Sequence, residues 1–275
     1  MEARLHLKRA ASLAWMSQYD AAVADFEKAM TFKGLFGEQQ LSAMQDDIEA
    51  LKRRKESQEI KLQGDIYFAR NMMNEALEQY HKAMETDDLN EYALSNISVI
   101  HLKRQNYDEC LKYTNQSLAI IENFQNDTKD FQKDNVLEVK LLQRRAKCLE
   151  IKAEYESAKE DLDRAMFLDP ENPAVKDAQT RVQKHLNTIK FDEYRTVAND
   201  YLKGKKFVEA MEYYEKCLKI TRKATTLDNI AIYVNKIACL LSLEKHNLVV
   251  SECNDALRLI KNYKNRNDGK HSKED

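Results

Sequence analysis

Five glycines and two prolines are all that the 275 residues contain, and that scarcity removes most fold classes at once. Glycine and proline are the residues that turn a chain sharply. An α/β enzyme of this length would need many more of them, whereas Leu, Ala, Glu and Lys recur throughout, which predicts an all-α chain. Apolar runs are also short. None approaches the ~18 residues of a membrane span, and the start, Met1 to His6, is too charged for a secretory leader. The five cysteines are an odd number with no CxxC pair, and several stand where parallel segments carry alanine. They read as small core residues in a reducing, cytoplasmic compartment. A net charge of −2 lacks the basic domain of a nucleic-acid binder, so neither nucleic acid nor membrane is an expected partner.

Chemistry is missing as well. The six histidines are scattered, with no HExxH and no Cys/His cluster at metal-ligand spacing. No Gly-rich phosphate loop and no GxSxG is present. The expectation is no catalytic residue, no metal and no cofactor: not an enzyme. His101, His246, Trp15 and the tyrosines fall on recurring positions and are expected to pack rather than react.

What is present is a register. Ala22, Ala76, Cys110, Ala158, Ala210 and Val249 mark six second helices. Twelve residues before each stand Ala10, Gly64, Ser98, Ala146, Ala198 and Ile237, and seven after each come Ala29, Ala83, Ser117, Ala165, Cys217 and Ala256. Helices that cross closely need small side chains where their backbones meet, and a fixed period of such pairs means a stacked helical array. The step from Ala76 to Cys110 is 34 residues, the tetratricopeptide period. The predicted fold is a right-handed superhelix of antiparallel helix pairs, with Val249 and Ile237 making the last pair the weakest.

The uneven steps locate the domains. The gaps from Ala22 to Ala76 and from Ala158 to Ala210 each hold one extra amphipathic helix. Leu41, Met44, Ile48 and Leu51 mark the first; Val175, Ala178, Val182, Leu186 and Ile189 mark the second. These are expected to be solitary capping helices near 38–55 and 172–189. Glu122–Asn135 is an insertion, either two lengthened helices or a loop, and Arg222–Leu227 a shorter one. The layout reads as 1–56, one pair and a cap; 57–190, three pairs and a cap; 191–260, two pairs; and 261–275, a tail too polar to order by burial.

Function is expected from polar residues on the first helices, which line the concave side of such a stack. Lys61 and Asp65, like Lys140 and Arg144, are spaced i,i+4 and share one helix face. Asn96 stands on the first helix between them. Converging ammonium, guanidinium and amide groups can hold a carboxylate by charge-assisted hydrogen bonds. Lys140, Arg144, Arg145 and Lys147 form a local basic patch with no acid between Glu138 and Glu150.

With these residues, 58–170 resembles the three-repeat tetratricopeptide domains of co-chaperones of the Hsp70/Hsp90-organising type. In that family a two-carboxylate clamp grips the Glu-Glu-Val-Asp tail of heat-shock chaperones. The resemblance implies a clamp of Lys61, Asp65, Asn96, Lys140 and Arg144, with Asp65 standing where the family has Asn. It also implies partial clamps at Arg195, Asn199 and Asn235, and at Arg4 and Lys8. A weaker likeness is to factors that help assemble axonemal dyneins. The implied function is a non-enzymatic scaffold binding a chaperone's C-terminal tail. The alternative is an assembly adaptor whose groove takes a partner's helix or extended segment without a clamp.

Overall fold

The computed structural model describes residues 1–127, 135–221 and 227–271. Among these residues the chain forms helices and no strand. In order they are α1 (Glu2–Trp15), α2 (Tyr19–Met30), a 3-10 turn at Lys33–Leu35, α3 (Glu38–Ala69), α4 (Met73–Thr86), α5 (Glu91–Lys103) and α6 (Tyr107–Asp127). They continue with α7 (Asn135–Ile151), α8 (Tyr155–Leu168), α9 (Pro173–Lys203), α10 (Phe207–Ile220), α11 (Leu227–Ser242) and α12 (His246–His271). Met1–Lys176 form one compact body and Asp177–Asp275 a second. No helix among the described residues is long and apolar enough to cross a membrane.

One turn recurs six times. Ser17, Asn71, Gln105, Ala153, Lys205 and Glu244 all have φ between 56 and 62°, and none of them is glycine. The next amide in each case donates back to a carbonyl five residues earlier, as Gln18 does to Leu13 and Glu154 to Leu149. This is the helix-ending motif that needs a left-handed residue. It folds each second helix back along its first.

The small residues lie where the register puts them. Ala10, Ala22, Ala29, Ala76, Ala83, Ala158, Ala165, Ala198 and Ala210 have no exposed surface, nor do Ser98, Cys110, Ser117 and Cys217. In the last pair Ile237 and Val249 are only half-buried; Ile232 and Cys239 carry that part of the core. Gly64 is buried too, and a Cβ placed there would lie 2.6 Å from the Tyr80 ring.

Three expectations are corrected. The helices predicted as solitary caps do not stand alone: residues 38–69 are one helix, α3, and 173–203 another, α9. The first half of α3 still covers the first pair, through Met44 and Ile48 packed with Ala10 and Phe26. Its second half is the first helix of the next pair. The predicted disordered tail is helical through His271, because extending an existing helix costs far less than nucleating one. Trp15 is 52% exposed and His246 exposed, so neither is core. Of the insertion at 122–135, residues to Asp127 lengthen α6, while 128–134 and 222–226 lie outside the described residues.

Candidate peptide-binding site

In the first body Gly64 lets α4 approach α3, and Tyr80 fills the space completely, with no exposed surface. Its hydroxyl thereby reaches the next residue of α3, donating to Asp65 Oδ1 at 2.8 Å. Asn96 Nδ2, from α5, donates to the same oxygen at 2.8 Å. Lys61 Nζ, one turn earlier on α3, lies 2.7 Å from Asp65 Oδ2. Three donors from three helices therefore converge on one carboxylate. Burial, with Asp65 adding to it, pushes the Tyr80 phenol well above its ordinary range, so Tyr80 is a hydrogen-bond donor at any working pH.

The second half of the site is on α7. Arg144 Nη1 donates to the Ser95 carbonyl at 2.9 Å, Ser95 Oγ at 3.1 Å and Ser98 Oγ at 2.7 Å. All three acceptors belong to α5, on either side of Asn96. They are neutral, and among the described residues Arg144 has no carboxylate partner. Its Nε–Nη2 edge, the edge that grips a carboxylate with two parallel bonds, meets no protein acceptor there. Burial pulls the guanidinium below its ordinary value, the mark of a cation removed from water without a counter-charge. Lys140, one turn earlier, is exposed. The fold thus brings Lys61, Asp65 and Asn96 together and sets Arg144 against the helix that carries Asn96.

The basic patch on α7 does not hold together. Arg145 turns away to α8, pairing with Asp161 at 2.5 Å and donating to Asn115 at 2.9 Å. That pair has relatives sixteen residues apart elsewhere: Arg9 with Asp25 and Lys236 with Glu252. In each the cation stands one place before the first-helix register residue, Ala10, Ala146 or Ile237. The recurrence was available in the sequence and marks structural ion pairs, not a ligand site.

The second body repeats the Tyr80 arrangement with one atom changed. Tyr214 Oη donates to Asn199 Oδ1 at 2.8 Å, and Asn235 Nδ2 to the same oxygen at 3.3 Å. Asn199 Nδ2, the atom that replaces Asp65 Oδ2, has no protein partner among the described residues. Arg195 is drawn off to Asp192 at 2.7 Å and Asp228 at 3.3 Å. At the N-terminus Arg4 and Lys8 are exposed and meet no acid among the described residues. His101 stacks on Tyr113 with centroids 5.5 Å apart, and among the described residues no Cys, His or acid cluster could hold a metal ion.

Register and turn together give a superhelical array of helix pairs at the tetratricopeptide spacing. A tetratricopeptide repeat model matches residues 201–224. The chain is 24% identical over 191 residues to Hsp70-Hsp90 organizing protein 3 of Arabidopsis thaliana, covering 66% of this chain and 32% of that protein. It is 22% identical over 204 residues to Stress-induced-phosphoprotein 1 of Caenorhabditis elegans, covering 71% and 60%. It spans about a third of the length of the plant relatives. Among solved structures it is similar to the TPR2AB-domain:pHSP90 complex of yeast Sti1, at 16% identity and TM-score 0.46, covering 74% and 77%. It is also similar to the first TPR of Spaghetti bound to an HSP90 peptide, at 20% identity and TM-score 0.40, covering 47% and 92%.

Proposed function

We propose that this chain is a non-enzymatic, cytoplasmic scaffold whose first body holds the acidic C-terminal tail of a heat-shock chaperone against α3, α5 and α7. The observation that carries the reading is Arg144. A part-buried cation that keeps its two-donor edge free of protein acceptors has lost hydration without gaining a counter-charge, which destabilises the empty site. A terminal carboxylate on that edge, with Lys140 beside it, supplies what is missing. The similarity to Hsp70-Hsp90 organizing proteins supports a chaperone as the partner. Such a tail should bind at micromolar strength, about −8 kcal/mol. Titration of a Glu-Glu-Val-Asp peptide in rising salt tests this: affinity should fall with ionic strength. Affinity insensitive both to salt and to Arg144→Ala would sink the reading.

A second reading, the adaptor, is favoured by one face of α11. Leu227, Ala231, Val234, Ala238 and Leu241 follow a 4-3-4-3 spacing and are all exposed. A helical partner meets such a stripe in register, whereas an extended tail does not. Val234→Asp should abolish capture of an amphipathic helix on the second body and leave the tail peptide's affinity unchanged.

A further inference from the structure

Asp65 and Asn199 occupy the same repeat position, six residues before the left-handed turn residues Asn71 and Lys205 of their pairs, and receive the same two hydrogen bonds. A buried tyrosine hydroxyl and a neighbouring first-helix asparagine amide both donate to one oxygen of the side chain. What differs is the second polar atom. In Asn199 it is an amide donor without a protein partner among the described residues, so it is available to a ligand acceptor. In Asp65 it is a carboxylate oxygen, and Lys61 is bound to it at 2.7 Å.

An ionised carboxylate offers about four acceptor positions. Tyr80, Asn96 and Lys61 take three at Asp65. The tyrosine and asparagine donors are held by the first-helix side chain in either case, as at Asn199; what the carboxylate adds is its hold on Lys61, a cation that would otherwise be available to a ligand carboxylate. The Asp65 side chain is nonetheless 35% exposed, so a bound peptide can meet its remaining acceptor position. At the other end Arg144 and Lys140 have no acid of their own among the described residues. The groove therefore has one open place for a carboxylate, not two.

Resting on the reading that the first body binds an acidic tail, we propose that Asp65 is a specificity-determining residue: an internal occupant of one carboxylate position. The groove grips the α-carboxylate through Arg144 and Lys140. It prefers a last residue whose side chain donates a hydrogen bond, as an amide, hydroxyl or ammonium does, to one ending in aspartate. Discrimination comes from repulsion as much as attraction: an aspartate side chain set beside Asp65 meets a like charge and finds Lys61 engaged.

The test swaps one atom on each side. Two peptides, Glu-Glu-Val-Asp and Glu-Glu-Val-Asn, both with free carboxyl termini, are titrated into the intact chain and into its Asp65→Asn variant. Asn199 already shows that asparagine suits the same tyrosine and amide donors, and thermal melting checks that the variant folds. The expected result is that the native chain binds the Asn-ended peptide at least as tightly as the Asp-ended one. Asp65→Asn should move the ratio toward the Asp-ended peptide by about tenfold. Both forms binding the two peptides with the same ratio overturns the role of Asp65 and leaves the tail reading standing. Neither peptide binding either form overturns the tail reading, and this inference with it.

Discussion

Gly64 and Tyr80 meet so closely that a methyl group on the glycine would stand 2.6 Å from one ring carbon and 2.7 Å from the next. The same contact sets the height at which the Tyr80 hydroxyl meets Asp65. A packing requirement and a site requirement therefore fall on one pair. Gly64→Ala must push the ring off its seat, and overpacking of this kind costs ~1–3 kcal/mol. Denaturant titration should show that loss, and the tail peptide should bind several-fold more weakly because Asp65 and Asn96 lose their anchor. An alanine variant as stable as the native chain would contradict the proposed crossing.

The six left-handed turn residues allow an opposite prediction. Ala153 is exposed at φ 61°, a conformation that costs a residue with a Cβ ~1–2 kcal/mol. Glycine removes that cost while losing ~0.5–1 kcal/mol to unfolded-chain entropy. Ala153→Gly should therefore raise stability by roughly 0.5 kcal/mol, read from the denaturation midpoint. A clear loss would mean that the turn is not left-handed.

Asp25 gives a pH dependence. The Arg9 guanidinium, helped by His6, holds its carboxyl far below the ordinary carboxylate range. A depressed folded-state value means that this stabilisation is present above the unfolded value of ~3.9 and is lost as pH falls below it. Asp25→Asn should lower the melting temperature at pH 7. The gap to the native chain should close progressively below about pH 4. A gap that is constant down to pH 2 would show that the loss is packing and not charge.

Much of this was legible in the sequence because tetratricopeptide packing writes itself in small residues at fixed offsets. Ala22, Ala76 and Ala158 had to be small, and they are fully buried. The i,i+4 spacing of Lys61 and Asp65 likewise made their pairing readable. Helix continuity was misread at 38–69 and 173–203, although the signal was present: no glycine or proline interrupts 38–63 or 174–203. Arg144 bonding to Ser95 and Ser98 was not readable, since a serine on a first helix looks the same whether it faces solvent or a guanidinium. Arg145 shares the basic patch in the sequence but not the groove, because adjacent residues on a helix point about 100° apart.

The most direct measurement is calorimetric titration of the Glu-Glu-Val-Asp peptide, with a free and with an amidated C-terminus, into the native chain and into Arg144→Ala. If Arg144 holds the terminal carboxylate, amidation should weaken binding to the native chain by at least about tenfold, from a charged hydrogen bond of ~1.5–3 kcal/mol. Arg144→Ala should lose a similar factor and then become nearly indifferent to amidation, since both changes remove the same contact. Equal affinity of the native chain for the free and amidated peptides would contradict the account.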